Sequence, residues 1–205
     1  MKAIKMDDID EWNDRRCGKI TDSRMSDVLA KGKGVSRARY CAELASARMT
    51  GKPHRSTFSS DAIDHGNAYE AVARMMYEIK NGVMVEGDGK TFIDHPFVKN
   101  SGMSPDGLIN DDGMVEIKCP STHVFIEYKL AGEVPSVYRS QIVWQLACSR
   151  RKWCDFVAFD PDMPEEYGYL EIRFIPTEKE IKDMEFEVIK FNLEVEDLIK
   201  KITAK

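Results

Sequence analysis

Asp106, Glu116 and Lys118 share one stretch, GMSPDGLINDDGMVEIKCP (residues 102–120), whose strand positions are otherwise largely apolar. Burying charge there is costly unless each group is paired. Two facing carboxylates repel one another unless a cation lies between them. Hard oxygen ligands suit Mg²⁺, which takes one or two carboxylates and completes its shell with water and phosphate oxygens. A lysine beside such a cation can orient or help deprotonate an attacking water and offset charge developing on phosphorus. The spacing P-D-x9-E-x-K therefore fits a metal-dependent phosphodiesterase site. It equally fits a Pro-Asp turn followed by a Glu/Lys surface ladder, and the fragment alone does not separate the two.

Two strands have to position these groups. Asp111-Asp112-Gly113 is expected to form a three-residue hairpin loop with Gly113 in the left-handed region. That register pairs Asp106 with Lys118 and Leu108 with Glu116, so all three charged side chains project from one face. Val115 and Ile117 then enter the core on the other face. A one-residue slip would carry Asp106 to the wrong side.

Upstream, DDIDEWNDRRCGKITDSRMSDVLAKGKGV reads as a short helix, a turn at Cys17-Gly18 and a second helix starting near Thr21–Ser23, broken at Lys31-Gly32-Lys33-Gly34. SRARYCAELASARMTG and SDAIDHGNAYEAVARMMYEIKNG follow as helices, stopped at Gly51 and at Asn81-Gly82. VMVE (83–86) and TFID (91–94) are β-like. After the hairpin come the helix SVYRSQIVWQLACSR and the strands WCDFVAFD (153–160) and GYLEIRFI (168–175). Thr177 and Glu180 form a T-x-x-E capping box. The stripe Ile181, Met184, Val188, Phe191, Val195 and Leu198 behind it packs on its own domain or supports an oligomer. The order of elements predicts an α/β fold around a mixed sheet.

The chain has 205 residues, 42% hydrophobic and 32% charged, with no repeat or low-complexity segment. We expect one domain, 1–205, with a basic helical part over 1–60, a catalytic core over 61–175 and a C-terminal helix over 177–201. No segment approaches the ~20 apolar residues of a membrane span, and MKAIKMDDIDEW lacks the apolar stretch of a secretory signal. Five scattered cysteines without a close C-x-x-C pair favour reduced thiols and a cytoplasmic location over disulfides or zinc. The net charge of −5 hides an asymmetry: residues 1–60 carry +5 and residues 160–205 carry −6. Such a basic N-terminal region is either a local anion-binding surface or a solvated charge asymmetry.

The hairpin motif resembles the PD-(D/E)xK nuclease superfamily and, more narrowly, its phage lambda exonuclease branch, the YqaJ-like viral recombinases. Three further segments match that branch in order: EWNDRRCGKITDSRMSDVLAKGKG its W-x3-R-x-G-x-I-T-x-S segment, HGNAYEAVARMMYE its G-x3-E-x2-A-R helix, and VYRSQIVWQL its Y-x2-Q helix. The resemblance implies a restriction-endonuclease-like core, a central mixed β-sheet flanked by helices. It implies that Asp106, Glu116 and the Ile117 carbonyl hold Mg²⁺ (Mn²⁺ being a possible substitute), with Glu70 as a further acidic ligand or a ligand to a bound water. Lys118 serves the nucleophilic water, and Gln141 helps place that water or the scissile phosphate. Gln145, one turn on, is read as structural.

For recognition of a terminal 5′ phosphate the matching positions are Arg16, Ser23 and Ser104. Guanidinium forks and hydroxyls bind phosphate well. Arg15 departs from the family pattern and competes with Arg16 for that role. Ile63 matches an apolar position that wedges apart the duplex end, although a core isoleucine reads the same way; His65 and His123 are incidental. The implied activity is 5′→3′ digestion of one strand of double-stranded DNA from its end, by a homotrimeric ring partnered by a phage single-strand annealing protein in a bacterial cytosol. An acidic exterior with a positive channel accommodates the net charge. Two rivals stand: another nuclease of the superfamily, cutting single strands or internally, and a non-catalytic DNA-end-binding protein on the same fold. Iron–sulfur members fit poorly, because Cys148-x5-Cys154 lacks a further close cysteine.

Overall fold

The computed structural model describes residues 6–31, 35–53, 61–87, 89 and 91–204, with backbone only over 6–10 and 61–67. The elements run α1 (Met6–Arg16), β1 (Ile20–Thr21), a 3₁₀ turn (Asp22–Arg24), α2 (Met25–Leu29), α3 (Val35–Thr50), α4 (Asp61–Asn81), β2 (Val85–Glu86), β3 (Ile93–Asp94) and β4 (Ser101–Met103). They continue with β5 (Gly107–Ile109), β6 (Gly113–Lys118), α5 (Thr122–Ala131), α6 (Ser136–Ser149), β7 (Trp153–Phe159), β8 (Tyr169–Phe174) and α7 (Glu178–Thr203).

The main sheet has five strands in the order β2-β5-β6-β7-β8, antiparallel except for the parallel pair β6–β7. A parallel pair needs a crossover, and α5 and α6 supply it. The long middle strands alternate their side chains between two cores. Val115, Ile117, Val157 and Phe159 pack with Ala73 and Tyr77 of α4 on one face. Met114, Cys154, Phe156 and Ala158 face the other way, into the larger core with α2, α3, α6 and α7. The α7 stripe is spent on this core: Met184, Val188, Phe191 and Val195 are buried in it. The capping box at its start is formed as expected, Thr177 accepting from the Glu180 N–H and Glu180 accepting from the Thr177 N–H.

Two local expectations need correction. The segment from Thr21 to Ser23 does not begin a helix; Ile20–Thr21 is a short strand, paired in parallel with β4 in a separate sheet of order β1-β4-β3, and the 3₁₀ turn precedes α2. Residues 122–131, to which the sequence pattern assigns no element above, form the helix α5. The hairpin register is displaced by two residues. Leu108 faces Met114 and Gly107 faces Val115, so the loop is Asn110–Asp112, and Asn110 (φ 46°) holds the left-handed position.

The reason lies in the neighbours of the turn. Gly113 lies within β6 against the Trp153 ring, where a Cβ would come 2.1 Å from Cζ2. Arg151 Nη1 donates to the carbonyls of Ile109, Asn110 and Gly113 at 3.1, 2.7 and 2.7 Å, fixing the loop one residue earlier. Because the displacement is even, every side chain keeps its predicted face.

Candidate active site

The site forms where the end of β6 meets α6. Ile117 faces the α4 core, so its neighbours Glu116 and Lys118 point toward α6. Asp106, just before β5, is drawn to the same place by the Ile117 N–H, which donates to its Oδ2 at 2.8 Å. Lys118 Nζ lies 2.5 Å from Glu116 Oε1, 3.0 Å from the Ile117 carbonyl and 3.5 Å from Asp106 Oδ2. The three oxygens named from the sequence as cation ligands thus converge on one positive charge, the lysine's own ammonium.

A position that holds one cation among these oxygens suits a divalent cation as well. Among the described residues no group of three or more His, Cys, Asp and Glu side chains is arranged to hold a metal. The donor set is instead two carboxylates and a backbone carbonyl, the number and hardness of ligands that Mg²⁺ takes when water and phosphate supply the rest. Glu70 on α4 stands near enough for Asp106 to raise its pKa, after burial, and for Lys118 to oppose the rise.

Two glutamines on successive turns of α6 share one face, and both aim at Glu116. Gln141 Nε2 donates to Oε1 and Gln145 Nε2 to Oε2, each at 2.7 Å. Glu116 is completely buried. Burial first, then Asp106, push its pKa up from 4.5 to about 8, against the pull of Lys118. For Lys118 the balance runs the other way: burial depresses the ammonium, but Asp106 and Glu116 outweigh it and leave its pKa raised. The lysine side chain remains 25% exposed, so it has a way toward solvent.

A cleft of about 230 Å³ adjoins this cluster, lined by Arg16, Thr21, Ser23, Arg24 and Tyr40 among others. The Arg16 guanidinium stacks 3.9 Å above the Trp12 ring, and Trp12 Nε1 donates to Ser104 Oγ at 3.2 Å. That leaves the Ser104 hydroxyl proton free to be given elsewhere. Other cations at the cleft are committed: Lys19 to Asp94 (2.6 Å), Arg24 to Asp27 and Glu43 (2.5 and 3.0 Å). Among the described residues no carboxylate lies within ion-pair distance of Arg16. Burial lowers its pKa, with Asp22 and Tyr40 opposing. An arginine desolvated, stacked and unpaired in this way is a ready anion ligand. Arg15 is turned away, 60% exposed and paired with Glu11 at 3.2 Å.

The structure therefore gathers Asp106, Glu116, the Ile117 carbonyl, Lys118 and Gln141, sets Glu70 nearby, and puts Arg16 and Ser23 in one adjoining cleft with Ser104 beside it. The side chains of Ile63 and His65 lie outside the described residues. Two site residues escaped the sequence reading. Gln145, read as structural, contacts Glu116 directly, and its spacing of four from Gln141 on an apolar helix face was the available signal. Asp22, passed over inside the T-x-S match, is 3% exposed and accepts hydrogen bonds from Ser104 N (3.3 Å), Gln145 Nε2 (2.8 Å) and Gln141 Nε2 (3.4 Å).

Comparison with known proteins was informative at two levels. Residues 11–152, more than half of the chain, match the YqaJ-like viral recombinase domain. Two crystal structures resemble the whole chain. LHK-Exo in complex with dAMP is 38% identical, with a TM-score of 0.88, covering 95% of this chain and 96% of that one. The alkaline exonuclease LHK-Exo from Laribacter hongkongensis is 37% identical, with a TM-score of 0.86 and the same coverage. A phage-related exonuclease from Haemophilus somnus 129PT is 15% identical with a TM-score of 0.65, over 90% of this chain and 96% of that one, and shares the fold. No curated protein matches the sequence. The fold is accordingly that of a restriction-endonuclease-like alkaline exonuclease, a mixed sheet flanked by helices.

Proposed function

The chain belongs to the YqaJ-like viral recombinase family, and we propose that it is a Mg²⁺-dependent exonuclease that digests one strand of double-stranded DNA from a 5′-phosphorylated end. Membership of a family whose solved relatives are alkaline exonucleases supports the DNA exonuclease role. The observation that carries the finer reading is the meeting of Asp106, Glu116 and the Ile117 carbonyl on one cationic position, beside a cleft whose Arg16 has no ion-pair partner among the described residues.

In this reading Asp106, Glu116 and the Ile117 carbonyl hold Mg²⁺, or Mn²⁺ in its place, with Glu70 acting through a bound water. The metal supplies Lewis-acid polarisation of the phosphate and a more acidic water. Lys118, displaced from between the carboxylates toward its exposed side, stands by the attacking water and balances charge on the phosphorane-like oxygens. Gln141 orients that water or the scissile phosphate. Arg16 receives the terminal 5′ phosphate on its guanidinium fork, with the Ser23 and Ser104 hydroxyls, and the role of parting the strands is assigned to Ile63 by the family match alone. Attack on the next phosphorus breaks its bond to O3′, releases a 5′-mononucleotide and leaves a new 5′ phosphate. Each cut thereby regenerates the group that the cleft recognises. The product is a 3′ single-stranded overhang, the substrate of a phage annealing protein. We place the enzyme in a host cytosol as a homotrimeric ring around the duplex. No helix among the described residues is long and apolar enough to cross a membrane.

The test is digestion of linear duplex with a labelled 5′-phosphorylated end, beside 5′-hydroxyl, circular and single-stranded DNA. Mg²⁺-dependent mononucleotide release should be fastest from the phosphorylated duplex and fall at least a thousandfold in Lys118→Ala and Asp106→Ala. Equal cutting of circular DNA would favour an internal nuclease, and undiminished activity in either variant would refute the mechanism.

A further inference from the structure

Asp22 has no role in the reaction just described, yet it is buried in the site almost as deeply as Glu116. It follows β1 at the start of the 3₁₀ turn, between Thr21 and Ser23 of the cleft. All three of its hydrogen bonds arrive from donors. Ser104 N–H reaches Oδ1 at 3.3 Å; Gln145 and Gln141 Nε2 reach Oδ2 at 2.8 and 3.4 Å. The same two nitrogens donate to Glu116 at 2.7 Å. A carboxamide nitrogen carries two protons, and Gln145 spends one on each carboxylate. Asp22 and Glu116 are thus bridged twice, once by each glutamine.

The orientation of Gln145 has a cost that points to what enforces it. Its Oε1 is buried without a hydrogen-bond partner among the described residues, and such an oxygen is unfavourable by about 1–3 kcal/mol. With Glu116 as sole anchor, turning the amide over would cost a single hydrogen bond, since the oxygen would then face another acceptor. With Asp22 present, the nitrogen is claimed from both sides and the donor-inward orientation is fixed. The other oxygen of Asp22 holds the backbone of Ser104, two residues before Asp106 and in contact with the Trp12 that underlies Arg16.

We propose that Asp22 is a positioning residue. It locks the Gln141 and Gln145 carboxamides donor-first onto Glu116 and pins the Ser104 backbone, so one buried carboxylate sets both the cation-holding and the phosphate-holding halves of the site. The inference rests on the nuclease reading for what those halves bind. Supports of this kind typically change metal affinity by about 10–100-fold when removed.

The experiment titrates Mn²⁺ into the metal-free full chain by calorimetry and measures the ratio of cleavage rates on 5′-phosphorylated and 5′-hydroxyl duplex. Asp22→Asn, nearly isosteric but with a donor facing the glutamines, should weaken Mn²⁺ binding about tenfold and lower the phosphate preference, with an unchanged circular dichroism spectrum. Adding Gln145→Met to Asp22→Asn should weaken binding no more than about twofold further, because the two act through one arm. Should Asp22→Asn not fold, Gln145→Met alone carries the test, with a comparable loss expected. Wild-type Mn²⁺ affinity and phosphate preference in Asp22→Asn would overturn the assignment, as would wild-type affinity in Gln145→Met or fully multiplicative losses in the double variant. A wild-type chain that binds no Mn²⁺ and spares duplex ends would instead overturn the nuclease reading beneath it.

Discussion

At the scale of single residues, what decides the site is which charges are already spent. Lys19 and Arg24 reach the cleft but are paired with carboxylates, whereas Arg16 is stacked on Trp12 with no ion-pair partner among the described residues. Arg16→Ala should therefore erase most of the preference for a 5′-phosphorylated end, while Arg15→Ala should leave it unchanged, as initial rates on the two duplexes would show. Glu116 gives a pH signature. Burial and Asp106 raise its folded-state pKa from 4.5 to about 8, so the folded chain holds that proton more tightly than the unfolded one. The stability this contributes is complete below the ordinary carboxylate range and is lost as pH rises through about 8. The melting temperature of metal-free protein should decline between about pH 5 and 8 and level off above, and Glu116→Gln should flatten the decline; parallel profiles would contradict the assignment. Asp106, Glu116 and Lys118 were legible in the sequence because strand alternation survives an even error of register. Asp22 was not, since its meaning comes from four elements that meet only in three dimensions.

At the scale of elements, the hairpin and α6 form the frame. Its loop is set by contacts remote in sequence, the Arg151 guanidinium on three carbonyls and the Trp153 ring against Gly113. Turn chemistry alone placed the loop one residue late for that reason. Gly113→Ala should destabilise the fold by about 1–3 kcal/mol, the usual cost of overpacking, measured by urea unfolding; a neutral effect would mean that Trp153 yields freely. Thr177→Ala, which removes the side-chain cap of α7, should cost about 1 kcal/mol without altering cleavage. The long helices and β7 and β8 were legible from their periodicity and β-branched content. β3 was legible within TFID, but β1 and β4, two and three residues long, are too short to carry a period, so the sheet they share exists only through its pairing.

At the scale of the whole molecule, a chain proposed to act on DNA has a net charge of −5, with +5 over its first 60 residues. A closed ring reconciles the two, since a channel of repeated basic faces can be positive on an acidic assembly. Light scattering at working concentration should give three times the 23.4 kDa mass of the chain, and a monomer would count against the ring. The central claim is narrower: that Asp106, Glu116 and the Ile117 carbonyl form a divalent-cation site whose place the Lys118 ammonium can take. Anomalous diffraction from crystals soaked in Mn²⁺ tests it most directly. The account predicts a peak bound by those three oxygens, with Lys118 Nζ moved toward solvent; no peak there, with Lys118 still between the two carboxylates, would contradict it.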